Sequence, residues 1–302
     1  MSDDSPRPSA PFAGLEWLRV VASLGIVAFH QRAPGDRIGH AGLAVFAALT
    51  AAMAARSARG RDWAAFRGGR LRRMLLPWLV WSAFYALVQV ALAQFGGQPW
   101  WARFEPTMLV TGTYPHLWYL PFAAVAALVA GRCGARGPAA AWLLAGAVTM
   151  PVASWLLTLP LPLPALNWSF VAPAALLGVG LARTPLGGGW HAIPWGFAGA
   201  GALGWLACLV LGQADLLPEY PIALGTVTVA WALPWRAGTW TTRLAATTFG
   251  IYVLHMFVDL LVALLAVQGW ATFTVWTRLA AAFGGALLLT WTLRATRVRA
   301  VL

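Results

Sequence analysis

Three side chains capable of acid–base or ionic chemistry lie within the first long apolar segment of the chain: Glu16, Arg19 and His30. On an α-helix, the eleven steps from Arg19 to His30 return to nearly the same face, about 16 Å further along the axis. Glu16 precedes Arg19 by three residues and shares that face. An imidazole can act as a base or nucleophile at neutral pH, whereas a guanidinium stays charged and binds anions.

This stripe of ionisable residues has two interpretations. Charged groups are costly against lipid, so a functional stripe is expected to face the protein interior or a wet cavity. Alternatively, Glu16 and Arg19 extend to one headgroup layer and His30 lies near the other. The first segment alone leaves both interpretations open.

The composition indicates an integral membrane protein. Of 302 residues, 60% are hydrophobic and 10% are charged, whereas soluble domains carry about 25% charged residues. A net charge of +12 would suggest nucleic acid in a soluble protein, but here every basic residue is an arginine and most lie between apolar segments. This pattern is typical of membrane topology, so we expect contacts with membrane lipid and no nucleic-acid partner.

Apolar segments of about 15–25 residues, separated by Pro, Gly and Arg, predict ten membrane-spanning helices. These segments lack the alternating polarity that a β-barrel would require. We therefore predict an all-α fold, a polytopic transmembrane bundle of about ten helices. The expected spans lie near residues 15–31, 40–55, 74–94, 116–131, 138–159, 166–182, 190–212, 219–235, 244–267 and 271–293.

The chain is expected to form one transmembrane domain over residues 13–302, without a clear internal repeat. Residues 1–12 are polar and contain proline, which predicts a disordered cytoplasmic tail. A cleaved signal peptide is not expected, because charged residues interrupt the apolar stretch that follows. Cys133 and Cys208 lack metal-ligand spacing, so we expect neither a disulfide nor a metal site.

The arginines predict the orientation of the bundle. If the N-terminus is cytoplasmic, sixteen arginines fall on the cytoplasmic side and three on the opposite side. Because basic residues concentrate in cytoplasmic loops, both termini are expected in the cytoplasm. The sixteen are Arg7, Arg56, Arg59, Arg61, Arg67, Arg70, Arg72, Arg73, Arg132, Arg136, Arg183, Arg236, Arg243, Arg294, Arg297 and Arg299, and the three are Arg32, Arg37 and Arg103.

The densest basic segment precedes the third predicted span. Arg67, Arg70 and Arg73 recur every three residues, so they form one cationic ridge if the third helix begins early. Guanidinium groups bind phosphates bidentately, which predicts a binding site for a phosphorylated donor. Membrane topology and contact with anionic lipid explain the same charges without any donor.

The remaining candidates lie toward the opposite side of the membrane. His116 opens the fourth predicted span, and His255 lies deep in the ninth, one helical turn before Asp259. A carboxylate at this spacing can orient the imidazole, and a buried pair of this kind points to a functional site. The alternative is a structural hydrogen bond between helices. His40 and His191 lie at loop edges and receive no role.

Four sequence elements occur in an order and spacing that resemble a known family. They are an R-x10-H pattern from Arg19 to His30, an R-x-x-R pair at Arg70 and Arg73, Leu-Trp-Tyr-Leu around Trp118 and Tyr119, and Ile-Tyr-Val-Leu-His with Tyr252 and His255. Together they resemble membrane acyltransferase family 3, the bacterial multi-pass O-acyltransferases that modify cell-surface glycans. The resemblance spans roughly residues 15–260.

The resemblance implies transfer of an acyl group, usually acetyl, from cytoplasmic acyl-CoA to a hydroxyl of a surface glycan, lipid-linked sugar or related acceptor. It also implies ten core helices with cytoplasmic ends in the bacterial cytoplasmic (inner) membrane. Carried over by position, His30 matches the family's essential histidine and Arg19 its paired basic residue. Arg70 and Arg73 match the cytoplasmic arginine pair.

Two departures from the family pattern concern the acceptor more than the reaction. Glu16 stands where the family often has Asp. Residues 42–50 replace an F-x-x-S-G-F-like element, with Thr50 in the place of its Ser.

Acyl transfer to an alcohol needs a base near the hydroxyl and a stabiliser for the developing oxyanion. His30 is expected to supply the base or to accept the acyl group covalently, with Arg19 neutralising the donor or holding Glu16. Acyl-CoA is then the donor substrate, and no metal is expected.

A transporter or flippase would also explain buried charges, although no inverted repeat is visible. The altered second-helix element leaves a degenerate, non-catalytic family member as a third alternative.

Overall fold

A computed structural model of the protein describes residues 13–134, 136–186, 194–232, 238–296, 298 and 301–302. These residues form eleven α-helices and no strand, which confirms the all-α prediction. The helices are α1 Ala13–His30, α2 Asp36–Ser57, α3 Trp63–Phe95, α4 Met108–Thr111, α5 Tyr119–Cys133, α6 Ala139–Leu157, α7 Leu163–Leu181, α8 Trp195–Val210, α9 Tyr220–Ala232, α10 Thr239–Val267 and α11 Val275–Arg294. The extra helix is the four-residue α4, between the third and fourth predicted spans.

The chain is a multi-pass membrane protein. Within the described ranges, seven helical segments are long and apolar enough to cross a membrane: α1, α2, α3, Pro115–Cys133, α6, α7 and α10. Two further apolar helices, α8 and α9, are shorter. Ten crossings and cytoplasmic termini therefore stay predictions. The predicted tail and four of the counted arginines, Arg7, Arg236, Arg297 and Arg299, lie outside the described residues.

Helices α1, α2 and α10 form the frame of the candidate site. A Cβ on Gly25 of α1 would lie 2.9 Å from the Gly39 Cα of α2, so only glycine permits this close antiparallel crossing. Helix α10 runs parallel to α1, because Glu16 contacts Thr242 near the start of both helices and His30 lies beside His255 further along. Parallel first and ninth predicted spans agree with the expected alternation.

Helix α3 begins eleven residues before the predicted third span. Its N-cap is Asp62, whose carboxylate accepts a hydrogen bond of 2.8 Å from the Ala65 N–H. The helix therefore includes Arg67, Arg70 and Arg73, as the ridge hypothesis requires.

The segment before α5 differs from the predicted fourth span. Residues Pro115–Trp118 form a buried 3-10 turn, and the α-helix begins only at Tyr119. Gly112 has a φ of 81°, and a Cβ there would lie 2.8 Å from Ser82 Oγ on α3. Glycine at this position thus lets the segment approach α3 closely and bring His116 into the protein interior.

Two hydrophobic clusters form the core. The larger contains the alanine-rich α2, and the smaller surrounds Val27, Trp81 and Ile251. Tyr252 of α10 packs against both clusters. The candidate site described next lies along this junction.

Candidate active site

A cavity of about 340 Å³ lies between α1, α2, α3, α5 and α10. Most of its lining is apolar, and its polar side chains are arginines, threonines and tyrosines. The lining residues are Arg19, Ile26, Leu43, Phe46, Leu49, Thr50, Met53, Arg70, Arg73, Met74, Tyr119, Leu120, Ala123, Thr248, Phe249 and Tyr252.

Arg19, Arg70 and Arg73 form what we call the arginine end of the cavity. Arg19 Nη2 donates to Thr248 Oγ1 at 3.2 Å. Arg70 donates to Ser57 Oγ, and its guanidinium lies 5.3 Å from the centre of the Phe66 ring. The remaining N–H groups of these guanidiniums suit an anionic ligand.

Two sequence expectations about this end are only partly met. Arg67 is exposed and does not line the cavity, because it lies one turn nearer the start of α3 than Arg70. Glu16 accepts a hydrogen bond of 2.9 Å from Thr242 Oγ1, and the described residues include no ion pair between Glu16 and Arg19. Arg19 therefore does not hold Glu16 directly, which leaves its charge for a ligand.

Thr50, Tyr119 and Tyr252 form the hydroxyl end of the cavity. The Thr50 and Tyr119 hydroxyl oxygens lie 3.3 Å apart. Tyr252 donates its hydroxyl to the His116 carbonyl oxygen, which ties α10 to the 3-10 turn. Trp118 does not line the cavity but packs edge-on against Tyr119, with ring centres 5.7 Å apart.

His30, His116 and His255 come together as a histidine cluster beyond the hydroxyl end. The His255 ring centre lies 5.1 Å from that of His30 and 5.3 Å from that of His116. None of the three lines the cavity, but Tyr252 does, and its ring centre is 5.4 Å from that of His116. Sequence analysis selected each histidine separately and did not predict that they meet.

The hydrogen bonds of His255 fix its tautomer. Nδ1 lies 2.8 Å from the Tyr252 carbonyl oxygen and 3.2 Å from that of Ile251. Carbonyls only accept, so Nδ1 carries a proton, and in the neutral imidazole Nε2 keeps a lone pair. Among the described residues, His255 Nε2 and both ring nitrogens of His116 are buried without a hydrogen-bond partner.

Comparison with known proteins identifies the family of the chain. A family model described as an acyltransferase domain, acyltransferase family 3, matches residues 12–295 of the 302. The chain belongs to acyltransferase family 3. No curated protein and no solved structure matches it. The match includes α1 through α11, and with them the cavity and the histidine cluster of this acyltransferase.

The predicted pairing of Asp259 with His255 is wrong in this acyltransferase. Asp259 Oδ1 accepts a hydrogen bond of 3.2 Å from Arg278 Nη2 of α11, and His255 donates to backbone carbonyls instead. The carbonyl oxygens of the preceding turn lie within hydrogen-bond distance of Nδ1, so they take the place that was predicted for the carboxylate.

Tyr114 lies beside the histidine cluster and stays a neutral phenol. Burial and the nearby Asp259 carboxylate both raise the pKa of its hydroxyl.

Sequence reasoning missed a second histidine contact, between α2 and the start of α9. His40 Nδ1 lies 3.2 Å from Glu219 Oε1, and the His40 ring stacks between those of Phe29 and Phe170. His40 and Glu219 are 179 residues apart, and no local pattern joins them. The only signal was that both were predicted near the same membrane surface.

The described residues contain no group of three or more His, Cys, Asp or Glu side chains that could hold a metal ion.

Proposed function

We propose that this acyltransferase moves an acyl group, in the simplest case acetyl, from cytoplasmic acyl-CoA to a hydroxyl of a surface glycan or lipid-linked sugar. The observation that supports it most is the cavity itself. It runs from three arginines to Tyr252, and Tyr252 contacts the histidine cluster. In this proposal the donor phosphates bind at the arginine end of the cavity, and the acyl transfer takes place near the histidine cluster.

The arginine end suits the phosphates of the donor. Guanidiniums form bidentate, charge-assisted hydrogen bonds with phosphate oxygens, and Arg70 and Arg73 lie one helical turn apart. A cavity of about 340 Å³ lies at the small end of the range for ligand pockets, so it suits the pantetheine arm and not a whole coenzyme. The nucleotide then remains at the cavity mouth, beside the arginines.

The histidine cluster supplies the acid–base chemistry. His30 lies one turn beyond Ile26, which lines the cavity, so its imidazole is next to the expected position of the thioester. His30 removes the proton of the acceptor hydroxyl while the oxygen attacks the thioester carbon, or it accepts the acyl group first. Arg19 stays protonated and acts only through its charge.

The donor and the acceptor approach from opposite sides in this proposal. The arginine end faces the cytoplasm and the histidine cluster faces the outer half of a bacterial cytoplasmic membrane. The acyl group then crosses the bilayer while the sugar stays outside. The arginine-rich loops contact anionic lipid headgroups on the cytoplasmic side.

Reporter fusions test this sidedness. A fusion after Arg73 should report the cytoplasm, whereas fusions at Gly97 and Asp215 should report the outer side. A cytoplasmic signal at Gly97 would contradict the orientation, because α3 would then not cross the membrane.

The reaction is tested in inside-out membrane vesicles that contain the protein and receive acetyl-CoA labelled in the acetyl group. We expect release of CoA and transfer of label to lipid-linked or surface glycan in the lumen. Vesicles with His30→Ala should show neither. A folded wild-type protein that neither releases CoA nor labels glycan would contradict the proposal, and luminal accumulation of intact acetyl-CoA would indicate a transporter.

A further inference from the structure

The cavity has few hydrogen-bond donors that remain free at its hydroxyl end. The Tyr252 hydroxyl already donates to the His116 carbonyl. Thr248, further toward the arginine end, donates to the Ala245 carbonyl and accepts from Arg19. The remaining polar groups are the hydroxyls of Thr50 and Tyr119, both of which line the cavity.

The Thr50–Tyr119 pair retains one free donor. The two oxygens are 3.3 Å apart, so one hydroxyl donates to the other. Whichever hydroxyl accepts keeps its own O–H, and that proton is available to a ligand in the cavity. Tyr119 is only 8% exposed, so a group that met this donor would be largely shielded from water.

The pair lies at a suitable distance from the arginine end. Ser57, which accepts from Arg70, is seven residues after Thr50 on α2, about 10 Å along the helix axis. An extended pantetheine arm covers such a distance. A donor with its phosphates at Arg70 therefore brings its thioester carbonyl near Thr50 and Tyr119.

We propose that the Thr50–Tyr119 hydroxyl pair binds the thioester carbonyl oxygen and stabilises the oxyanion of the tetrahedral intermediate. This inference rests on the proposed function. The nucleophile bonds to the carbonyl carbon, and the π electrons of the C=O bond move to the oxygen that accepts from the pair. When the C=O bond re-forms, the C–S bond breaks, CoA leaves as thiolate, and the proton of the acceptor hydroxyl, taken first by the base, ends on the CoA sulfur.

Stabilisation of the oxyanion by the Thr50–Tyr119 pair and binding of the ground-state donor by the same pair predict different kinetics. A hydrogen bond that strengthens as the oxyanion forms lowers the barrier, so its loss decreases kcat. Removal of one oxyanion donor typically costs about 10²–10³-fold in kcat. A hydrogen bond to an amide of the pantetheine arm would instead raise the KM for acetyl-CoA and leave kcat unchanged.

The test compares four variants of the full-length protein by CoA release from acetyl-CoA: Tyr119→Phe, Thr50→Val, the double variant and Thr50→Ser. Tyr220→Phe is the matched control, because Tyr220 is buried and donates to the Phe170 carbonyl away from the cavity. We expect the double variant to lose about 10²–10³-fold in kcat with an unchanged KM for acetyl-CoA. Each single variant should lose less, and Thr50→Ser, which keeps the hydroxyl, should lose less than Thr50→Val. Tyr220→Phe should keep the wild-type kcat.

A wild-type kcat in the double variant, or a raised KM alone, would overturn the inference. If the double variant has no activity and is also thermally unstable, the Thr50→Val variant decides the test. This substitution keeps the shape of the Thr50 side chain, and the inference requires that it still lowers kcat. A wild-type protein that releases no CoA at all would instead contradict the proposed function, and the inference would fall with it.

Discussion

The arginine end of the cavity and the histidine cluster satisfy their polar groups differently. At the arginine end, Arg19 and Arg70 donate to threonine and serine hydroxyls and still face an open cavity. In the cluster, His116 and His255 are 3% and 0% exposed, and three of their ring nitrogens have no partner among the described residues.

This difference supports the proposal that the arginine end binds the donor and that the histidine cluster performs the acid–base chemistry. The arginine end is accessible, and neighbouring hydroxyls orient the guanidiniums of Arg19 and Arg70, as a binding site requires. A buried polar atom without a partner costs about 1–3 kcal/mol, so the cluster persists only because the surrounding helices hold it. Tyr252 is the physical link, because it lines the cavity and donates to the backbone of His116.

The largest effect is expected at the histidine cluster. His30→Ala and His30→Gln should each decrease acyl transfer by about 10²–10⁴-fold, because neither side chain can accept a proton near neutral pH. Expression and thermal stability in detergent should stay near wild type, since the His30 ring is only partly buried. Tyr220→Phe is the control, because Tyr220 is buried and donates to the Phe170 carbonyl away from the cluster. Activity within a few-fold of wild type in both His30 variants would contradict its catalytic role.

A smaller effect, and one of a different kind, is expected at the arginine end. Arg70→Gln and Arg73→Gln should raise the KM for acetyl-CoA, because each charge-assisted contact contributes about 1.5–3 kcal/mol, or tenfold and more. Arg67→Gln is the matched control, since Arg67 lies on the same helix but does not line the cavity. An unchanged KM in the Arg70 and Arg73 variants would assign these charges to membrane topology alone.

The smallest effect is expected at Asp259. Because its carboxylate binds Arg278 and not His255, Asp259→Asn should change kcat by no more than a few-fold. Thermal denaturation should show a modest loss of stability, because the variant weakens a partly exposed ion pair between α10 and α11. A loss of activity as large as that of the His30 variants would restore Asp259 as a partner of the catalytic histidines.

The sequence predicted the helices better than the site. The ten predicted apolar segments correspond to ten of the eleven helices of the described residues, because long apolar segments are recognisable from the sequence alone. The four-residue α4 and the 3-10 turn before Tyr119 were missed, because such short elements depend on tertiary contacts such as that of Gly112 with Ser82.

Side-chain pairing in the site was predictable only where it followed helix geometry. The prediction of a ridge at Arg70 and Arg73 required α3 to begin before Arg67, and Asp62 provides the N-cap for that early start. The pairing of His255 with Asp259 failed, because an i, i+4 carboxylate competes with nearer backbone carbonyls. The meeting of His30 with His255 depends on helices distant in sequence, which no local pattern reveals.

The separation of binding from chemistry is tested most directly by the binding of acetyl-CoA to the purified His30→Gln variant. We expect a Kd within about threefold of wild type, well below the tenfold change that 1.4 kcal/mol would cause, in a protein that no longer turns over. Loss of acetyl-CoA binding in a folded His30→Gln protein would contradict it, because the cavity and the histidine cluster would then be one binding site.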